Sequence, residues 1–235
     1  MKMNKSNCEK AEMLVEVLPY VNRFRDKIIV IKYGGNAMIN EDLKKAVMQD
    51  LLLMKSVGMH PILVHGGGPA INDMLKKLKV ESHFEQGLRV TDKETMEIVE
   101  MVLAGKVNKD IVGTLNQIGG KGIGLSGKDG NLIQARKKYL EKNGEKIDIG
   151  YVGEVEAVNK EMLESLIYSG YIPVISSIGM GKDGMSYNIN ADYVAGAVAK
   201  AVQANKFILL TDVEGIFRDY HDKDSLISRI TLEEI

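Results

Sequence analysis

Two glycine-rich loops, each placed at the end of a short apolar strand, constrain this chain more than any other feature of its sequence. The first lies in the run from Ile28 to Met38, IIVIKYGGNAM, and the second in the run from Pro61 to Ala70, PILVHGGGPA. Backbone N–H groups in such loops can approach an anion closely, because glycine places no Cβ in the way. Two loops of this kind indicate two anionic groups held close together, as phosphoryl transfer requires. Lys32 would add a positive charge at the same place.

The remaining sequence alternates between strand patterns and amphipathic helix patterns. Apolar stripes at helical spacing follow capping signals such as Asn40, Asn159 and the pair Thr91 and Glu94. We predict strands at 28–31, 61–65, 171–176 and 207–211, a hairpin region over 120–158 and a helix near 191–203. Repeated βα units imply an α/β fold, with a mostly parallel central sheet and helices on both faces.

The N-terminal residues form a separate unit in the sequence pattern. Ser6 and Glu9 fit a capping box, and an apolar stripe follows at helical spacing: Ala11, Leu14, Val15 and Leu18. Pro19 should kink this helix. We predict a kinked amphipathic helix over 1–27, which needs a partner surface, and a single domain over 28–235.

Composition and charge exclude several classes of function. The 235 residues carry a formal net charge of −1, with lysine and arginine spread along the chain, so nucleic-acid binding is not expected. Cys8 is the only cysteine and the four histidines are scattered, so we expect neither disulfides within the chain nor a protein metal site. No apolar run approaches the ~18 residues that cross a bilayer. Acidic residues near the N-terminus argue against a targeting peptide, and we expect a cytoplasmic protein.

One glycine-rich motif does not fit a nucleotide site. Residues 122–127, GIGLSG, match G-x-G-x-x-G, and 122–128 nearly match a P-loop. The dinucleotide fingerprint must open a helix, whereas here a turn signal and a strand pattern follow. The P-loop match fails because Asp129 stands where Ser or Thr would bind magnesium. We interpret this segment as structural.

Five motifs, taken together and in order, carry a family resemblance. They are IKYGGNAM (31–38), HGGGP (65–69), GLRVT (87–91), NINAD (188–192) and LLTDVEGI (209–216). With them the chain resembles the amino-acid-kinase superfamily, and within it the acetylglutamate kinases, over essentially its whole length. The resemblance implies the α/β/α sandwich of that superfamily. It also implies an acetylglutamate lobe to about residue 200, followed by an incomplete nucleotide lobe.

The resemblance implies a reaction as well as a fold. Acetylglutamate kinases transfer the γ-phosphoryl group of ATP to the side-chain carboxylate of N-acetyl-L-glutamate, which is the second step of arginine biosynthesis. Donor and acceptor are both anionic, so the site must screen their repulsion while it aligns them. Magnesium is expected to arrive with ATP, held largely by phosphates and water.

The resemblance assigns catalytic and phosphate-binding roles to particular residues. Lys32 matches a catalytic lysine, and Asp192 matches an aspartate that lies between catalytic lysines and orients them. Gly34 and Gly35 match phosphate-binding positions. The nucleotide is expected beside Asp212, Val213, Glu214, Gly215, Ile216 and Phe217. From the residue itself, the simpler interpretation of Lys32 is a lysine at a strand end with its amine in water, and its place between an apolar strand and Gly34-Gly35 reverses that preference.

Four further residues are expected to bind the acetylated substrate. Gly67 and Gly68 would supply backbone amides, Arg89 would pair with a carboxylate, and Asn188 would hydrogen-bond the acetylamino acid. Without the resemblance, the two glycines could merely form a turn, Arg89 could be a surface charge, and Asn188 a loop residue. His65 fits a structural role better than a catalytic one.

The C-terminal residues leave other hypotheses open. Thr231 and Glu234 form a capping signal with only Ile235 after it. Acetylglutamate kinases carry a second catalytic lysine beyond the matched stretch, so we expect a C-terminally incomplete chain of doubtful activity. The alternatives are a non-catalytic acetylglutamate-binding protein and a kinase with another carboxylate acceptor.

The N-terminal helix carries a further expectation about assembly. In the family, such an extension marks arginine-inhibited enzymes, in which it interlaces dimers into a hexamer. The resemblance thus implies a homo-oligomer, built from dimers through this helix, with L-arginine as a possible allosteric inhibitor.

Overall fold

The computed structural model describes residues 6–38, 40–142 and 144–234. Its helices are α1 (Asn7–Phe24), α2 (Glu41–Ser56), α3 (Gly68–Leu78), α4 (Lys93–Glu100), α5 (Asn108–Gln117), α6 (Lys160–Tyr168) and α7 (Ala191–Ala201). Its first strands are β1 (Ile28–Tyr33), β2 (His60–His65), β3 (Phe84–Glu85), β4 (Leu88–Arg89), β5 (Gly122–Leu125), β6 (Ile133–Lys142) and β7 (Glu145–Val158). The remaining strands are β8 (Ile172–Ser176), β9 (Ile178–Gly181), β10 (Ser186–Asn188), β11 (Lys206–Leu209), β12 (Ile216–Phe217) and β13 (Leu226–Ile227). A π-helical segment, Met101–Val107, joins α4 to α5.

The central sheet contains five strands in the order β11-β1-β2-β8-β5, and every pairing in it is parallel. Alternate residues of β1 face opposite sides because strand side chains have a period of two. Ile29 and Ile31 pack into a core with α2, α3, α4 and α5, and Val30 packs into a second core with α6 and α7. The predicted α/β fold, with helices on both faces of a parallel sheet, is therefore confirmed.

A small closed barrel stands beside the sheet, formed by β6, β7, β9 and β10. The long β6–β7 hairpin matches the hairpin region expected over 120–158. A second hairpin, formed by β9 and β10, joins the first through the pairings of β10 with β7 and of β6 with β9. Because these pairings join strands distant in the sequence, local patterns did not predict them. The barrel places Asn188, at the end of β10, near the central sheet.

The capping predictions hold for Ser6 and Asn40 but were wrong for Thr91. Asp92 caps α4, and its Oδ1 accepts a hydrogen bond from Thr95 N at 2.8 Å. Thr91 is fully buried, and its backbone pairs in extended conformation with residues of β7. The Thr91 hydroxyl has another partner, because it donates to Arg89 O at 2.8 Å.

The glycines of GIGLSG serve packing. A Cβ on Gly124 would overlap Asn108 Oδ1, and one on Gly122 would lie 2.9 Å from Leu115 Cδ2. A 3-10 turn, Asp129–Asn131, follows, and the chain then enters β6 rather than a helix. The interpretation of this segment as structural is thus supported by its contacts.

Helix α1 begins with the predicted capping box and includes Pro19 in its interior. It has no buried residue, and its stripe residues Leu14, Val15 and Leu18 are 74%, 69% and 51% exposed. An apolar face of this size is normally covered by another surface. Within the described residues, none of the helices has the length and apolar character needed to span a bilayer.

Candidate active site

A cavity of about 330 Å³ opens at the carboxyl ends of β1 and β2. Ligands of parallel α/β sheets commonly bind at this edge, where loops and helix N-termini meet. Eight residues predicted from the sequence line this cavity: Lys32, Gly34, Gly35, Gly67, Gly68, Arg89, Asn188 and Asp192.

The cationic part of the cavity is Lys32 at the end of β1. Its Nζ lies 3.1 Å from Asp192 Oδ1, and its side chain is only 15% exposed. Asp192 occupies the first turn of α7, where Asn190 caps the helix by accepting a hydrogen bond from Asp192 N at 2.8 Å. The cap fixes the backbone of Asp192, and the ion pair holds the ammonium group of Lys32 at the cavity.

The second glycine loop places free amides on the cavity wall. Gly67 caps α3, and its carbonyl accepts a hydrogen bond from Ile71 N at 2.9 Å. A Cβ on Gly67 would lie 2.5 Å from Leu103 Cδ2, so the close packing of this loop requires glycine. Within the described residues, no acceptor pairs with the N–H of Gly67 or Gly68. Such amides at a helix N-terminus are suited to binding an anion.

The first glycine loop approaches the C-terminal part of the chain. Gly35 has a φ of +63°, and a Cβ there would lie 2.5 Å from the carboxylate oxygens of Asp212. A Cβ on Gly34 would lie 3.0 Å from Lys32 Nζ. Both glycines therefore leave room for charged groups beside the loop.

Arg89 also lines the cavity and is 7% exposed. Its guanidinium donates to Ser82 Oγ and, at 2.6 Å, to Asn72 Oδ1, and lies 4.6 Å from the centre of the Phe84 ring. No carboxylate among the described residues forms an ion pair with it. Burial lowers the pKa of this guanidinium below its ordinary value. A buried cation without an anionic partner favours binding of an anionic ligand.

Asn188 lines the same cavity, and its Nδ2 donates weakly to Thr91 Oγ1 at 3.4 Å. The Thr91 hydroxyl in turn donates to Arg89 O at 2.8 Å. Asn188 and Arg89 are therefore held by one hydrogen-bonded group. The amide oxygen of Asn188 has no donor among the described residues, so it can accept a hydrogen bond from a ligand.

The predicted nucleotide segment is separate from the main cavity. Asp212, Val213, Glu214 and Phe217 line a cavity of about 270 Å³, together with Tyr220 and Lys223. Gly215 and Ile216 lie outside that lining; Gly215 packs near Leu226, and Ile216 pairs with Ile227 between β12 and β13. The two cavities come together where Asp212 contacts the Gly35 loop.

The structure also identifies residues that the sequence reasoning missed. Phe84, Ser82 and Asn72 position Arg89, and the buried Ser177 lines the cavity beside Asn188. No local sequence signal marks these residues. Gln86 and Gly87, with φ angles of 47° and 77°, form the turn of the β3–β4 hairpin that brings Phe84 over Arg89.

Comparisons with known proteins show the family to which the chain belongs. Residues 27–235 match a family model whose description is "Amino acid kinase family". An acetylglutamate kinase from Caldicellulosiruptor bescii is 59% identical over 227 residues, which cover 97% of this chain and 77% of that protein.

Solved structures share the fold. A crystal structure of a Streptococcus mutans protein matches with a TM-score of 0.70 and 36% identity, over 81% of this chain and 74% of that one. The N-acetylglutamate synthase from Neisseria gonorrhoeae, solved with coenzyme A and N-acetyl-glutamate, matches with a TM-score of 0.78 over 95% of this chain and 49% of its own. At 23% identity, the latter shows the fold alone. The chain belongs to the amino acid kinase family and, within it, to the acetylglutamate kinases.

Proposed function

We propose that this protein transfers the γ-phosphoryl group of ATP to the side-chain carboxylate of N-acetyl-L-glutamate, the second step of arginine biosynthesis. The observation that carries the proposal is one cavity lined by two cationic side chains, Lys32 and the buried Arg89, and by Gly67 and Gly68, whose N–H groups have no acceptor among the described residues. The relatives named acetylglutamate kinase, at 59% and 57% identity, support this substrate.

The proposed step is an in-line displacement at phosphorus. A carboxylate oxygen of the substrate forms a bond to the γ-phosphorus, and the bond from that phosphorus to the bridging oxygen breaks, so the electron pair leaves with ADP. The acceptor has a pKa of about 4.3 and is already ionised at neutral pH, so no general base is needed. This suits a site in which Asp192 is paired with Lys32.

The cavity residues form two groups, one that acts on the transferring phosphoryl group and one that binds the acceptor. Lys32 and the Gly67 and Gly68 amides would stabilise the negative charge on the transferring group. Arg89 would pair with the substrate carboxylate that does not react, and Asn188 would accept a hydrogen bond from the acetamido N–H. The two groups of residues together would hold the acceptor oxygen in line with the nucleotide.

The nucleotide would lie along the Gly34–Gly35 loop and the segment from Asp212 to Phe217. Among the described residues, no group of three or more His, Cys, Asp or Glu side chains could hold a metal ion. We propose that Mg²⁺ is bound mainly by the nucleotide phosphates and water, as is usual for this ion in phosphoryl-transfer sites. We also propose that the enzyme is cytoplasmic.

The two alternative functions are less well supported. A non-catalytic binding protein would share Arg89 and Asn188, but it gives no reason for the paired Lys32 and Asp192. A kinase with another carboxylate acceptor is disfavoured by 59% identity to an acetylglutamate kinase over 97% of this chain.

A hydroxylamine trapping assay tests the proposal. The purified protein, incubated with Mg-ATP and N-acetyl-L-glutamate, is expected to give a hydroxamate, whereas N-acetyl-L-aspartate should give far less. Isothermal titration should in addition detect N-acetyl-L-glutamate binding without nucleotide. Failure of both measurements, with the protein shown to be folded by circular dichroism, would contradict the proposal.

The exposed stripe of α1 supports a proposal about assembly. We assign it to an interface between copies of this chain that joins dimers into a hexamer, and we propose that L-arginine inhibits the enzyme through this region. Light scattering should report a smaller assembly after deletion of residues 1–26, and arginine should no longer inhibit. An unchanged mass would show that the helix covers no neighbouring subunit.

A further inference from the structure

A series of hydrogen bonds at the buried carboxyl end of β2 joins side chains that the proposed reaction does not use directly. His65 and Asn108 are 0% and 1% exposed, and Asn108 Nδ2 lies 3.0 Å from His65 Nε2. The other ring nitrogen, His65 Nδ1, lies 2.8 Å from Gly66 O. This series of hydrogen bonds ends at the glycine loop that lines the cavity.

The carbonyl groups at the two ends of this series fix the direction of its hydrogen bonds. Asn108 Nδ2 also lies 2.9 Å from Val174 O, and a carbonyl oxygen can only accept. The amide group of Asn108 must therefore face both partners, so it donates to His65 Nε2. At the other end, Gly66 O can only accept, so His65 Nδ1 must carry the proton. Both ends require the same neutral tautomer.

The ionisation of His65 agrees with this arrangement. Burial lowers the pKa of His65 to about 4, so the ring is neutral at physiological pH. A protonated ring would place a second proton on Nε2, against the amide of Asn108. The site also accommodates Asn108 specifically, because a Cβ on Gly124 would overlap its Oδ1.

These hydrogen bonds fix the direction of the peptide between Gly66 and Gly67. The peptide between Gly66 and Gly67 is planar and trans, so its C=O and N–H groups point in opposite directions. The Gly66 carbonyl points at the buried ring of His65. The Gly67 N–H therefore points away from the core. Gly66 N donates to Tyr33 O at 3.2 Å, which holds the preceding peptide as well.

We propose that Asn108 and His65 are positioning residues for the reaction. The hydrogen bonds from Asn108 to His65 and from His65 to Gly66 O form a relay with a fixed direction, which orients the Gly67 amide toward the transferring phosphoryl group. The proposal deepens the function given above and rests on it. A preorganised donor stabilises developing charge because no reorganisation is needed during the reaction. The relay supplies that order from inside the fold, and neither side chain touches the substrate.

Two substitutions at His65 separate positioning from packing. In His65→Asn the side-chain amide nitrogen can take the place of Nδ1 and still donate to Gly66 O. In His65→Gln the polar group reaches the place of Nε2, and the bond to Gly66 is lost. We expect kcat to fall about 10²-fold for His65→Gln, with KM for acetylglutamate largely unchanged, and to recover most of this loss in His65→Asn. His60→Gln, at the opposite end of β2, is the matched control and should keep wild-type kinetics.

Nuclear magnetic resonance gives a readout that does not depend on activity. In ¹⁵N spectra of the wild-type chain, His65 should show a protonated Nδ1 and an unprotonated Nε2 between pH 6 and pH 8, as a pKa of about 4 implies. Titration with inorganic phosphate should shift the Gly67 amide resonance in wild type and in His65→Asn, and much less in His65→Gln.

The outcomes are distinguishable from failure of the proposed function. A protonated Nε2 in the wild type would overturn the relay whether or not the protein is a kinase. Wild-type kcat in a folded His65→Gln variant would also overturn it. The expected tautomer and phosphate response in a protein without kinase activity would support the relay and reject the reaction. If His65→Gln does not fold, the wild-type tautomer and the phosphate response of His65→Asn still decide the matter.

Discussion

Replacement of Arg89 by alanine should weaken acetylglutamate binding far more than ATP binding. The guanidinium is 7% exposed and has no carboxylate partner among the described residues, so an anionic ligand would complete a buried charge pair. Truncating one member of such a pair costs about 2–5 kcal/mol. This corresponds to a roughly 30- to 5,000-fold increase in Kd for acetylglutamate.

Part of this loss would come from the surroundings of Arg89. The truncation also removes its hydrogen bonds to Ser82 and Asn72 and its contact with the Phe84 ring. Arg89→Lys is the matched control, because it keeps the charge but cannot form the planar, two-pronged contact. We expect its acetylglutamate affinity to fall between those of wild type and Arg89→Ala.

Isothermal titration with each ligand separately measures the effect. ATP serves as the internal reference, since the nucleotide segment beginning at Asp212 is separate from Arg89. A similar loss of affinity for both ligands would indicate general misfolding, and an unchanged Kd for acetylglutamate in the folded variant would refute the role of Arg89.

Three other predictions follow from the site. Lys32→Ala should lower kcat about 10²–10³-fold with a smaller change in KM, because the charge is needed most in the transition state; steady-state kinetics with near-normal kcat would remove Lys32 from the mechanism. Gly67→Ala should lower kcat about 10²-fold, because its Cβ would lie 2.5 Å from Leu103 Cδ2, whereas Gly113→Ala, with open space around it, should be harmless; equal kinetics for the two variants would contradict this. The stability that neutral His65 provides should be complete above pH 6.5 and be lost as pH falls toward its folded pKa of about 4, a difference of 2.5 units or about 3 kcal/mol; denaturant unfolding of wild type and His65→Asn should diverge over this range, and parallel curves would show that His65 does not titrate as described.

Local patterns predicted the parts of this fold that depend on neighbouring residues. The parallel sheet, the cap at Asn40 and the hairpin over 120–158 each follow from propensity and periodicity within a short stretch. Both glycine loops were found because an anion site built from backbone needs glycine directly after a strand. Thr91 was misassigned because the capping pattern ignores tertiary pairing, and its backbone lies in a ladder with β7.

The rest of the site depends on contacts between distant residues. Ser82 and Asn72 lie 7 and 17 residues from Arg89, and Asn108 lies 43 residues from His65. Nothing in the sequence near Asn108 indicates that its amide will meet a histidine. The roles of Lys32, Arg89 and Asn188 came from a family resemblance rather than from spacing, and their assembly at one cavity required the fold.

In the proposed reaction, one cavity holds both the acceptor and the transferring phosphoryl group. A crystal structure with N-acetyl-L-glutamate, Mg-ADP and aluminium fluoride would locate both groups. We expect the fluoride complex to lie between Lys32 Nζ and the amides of Gly67 and Gly68, with a substrate carboxylate on Arg89. Acetylglutamate bound outside this cavity, or a phosphoryl mimic away from Lys32 and Gly67, would contradict it.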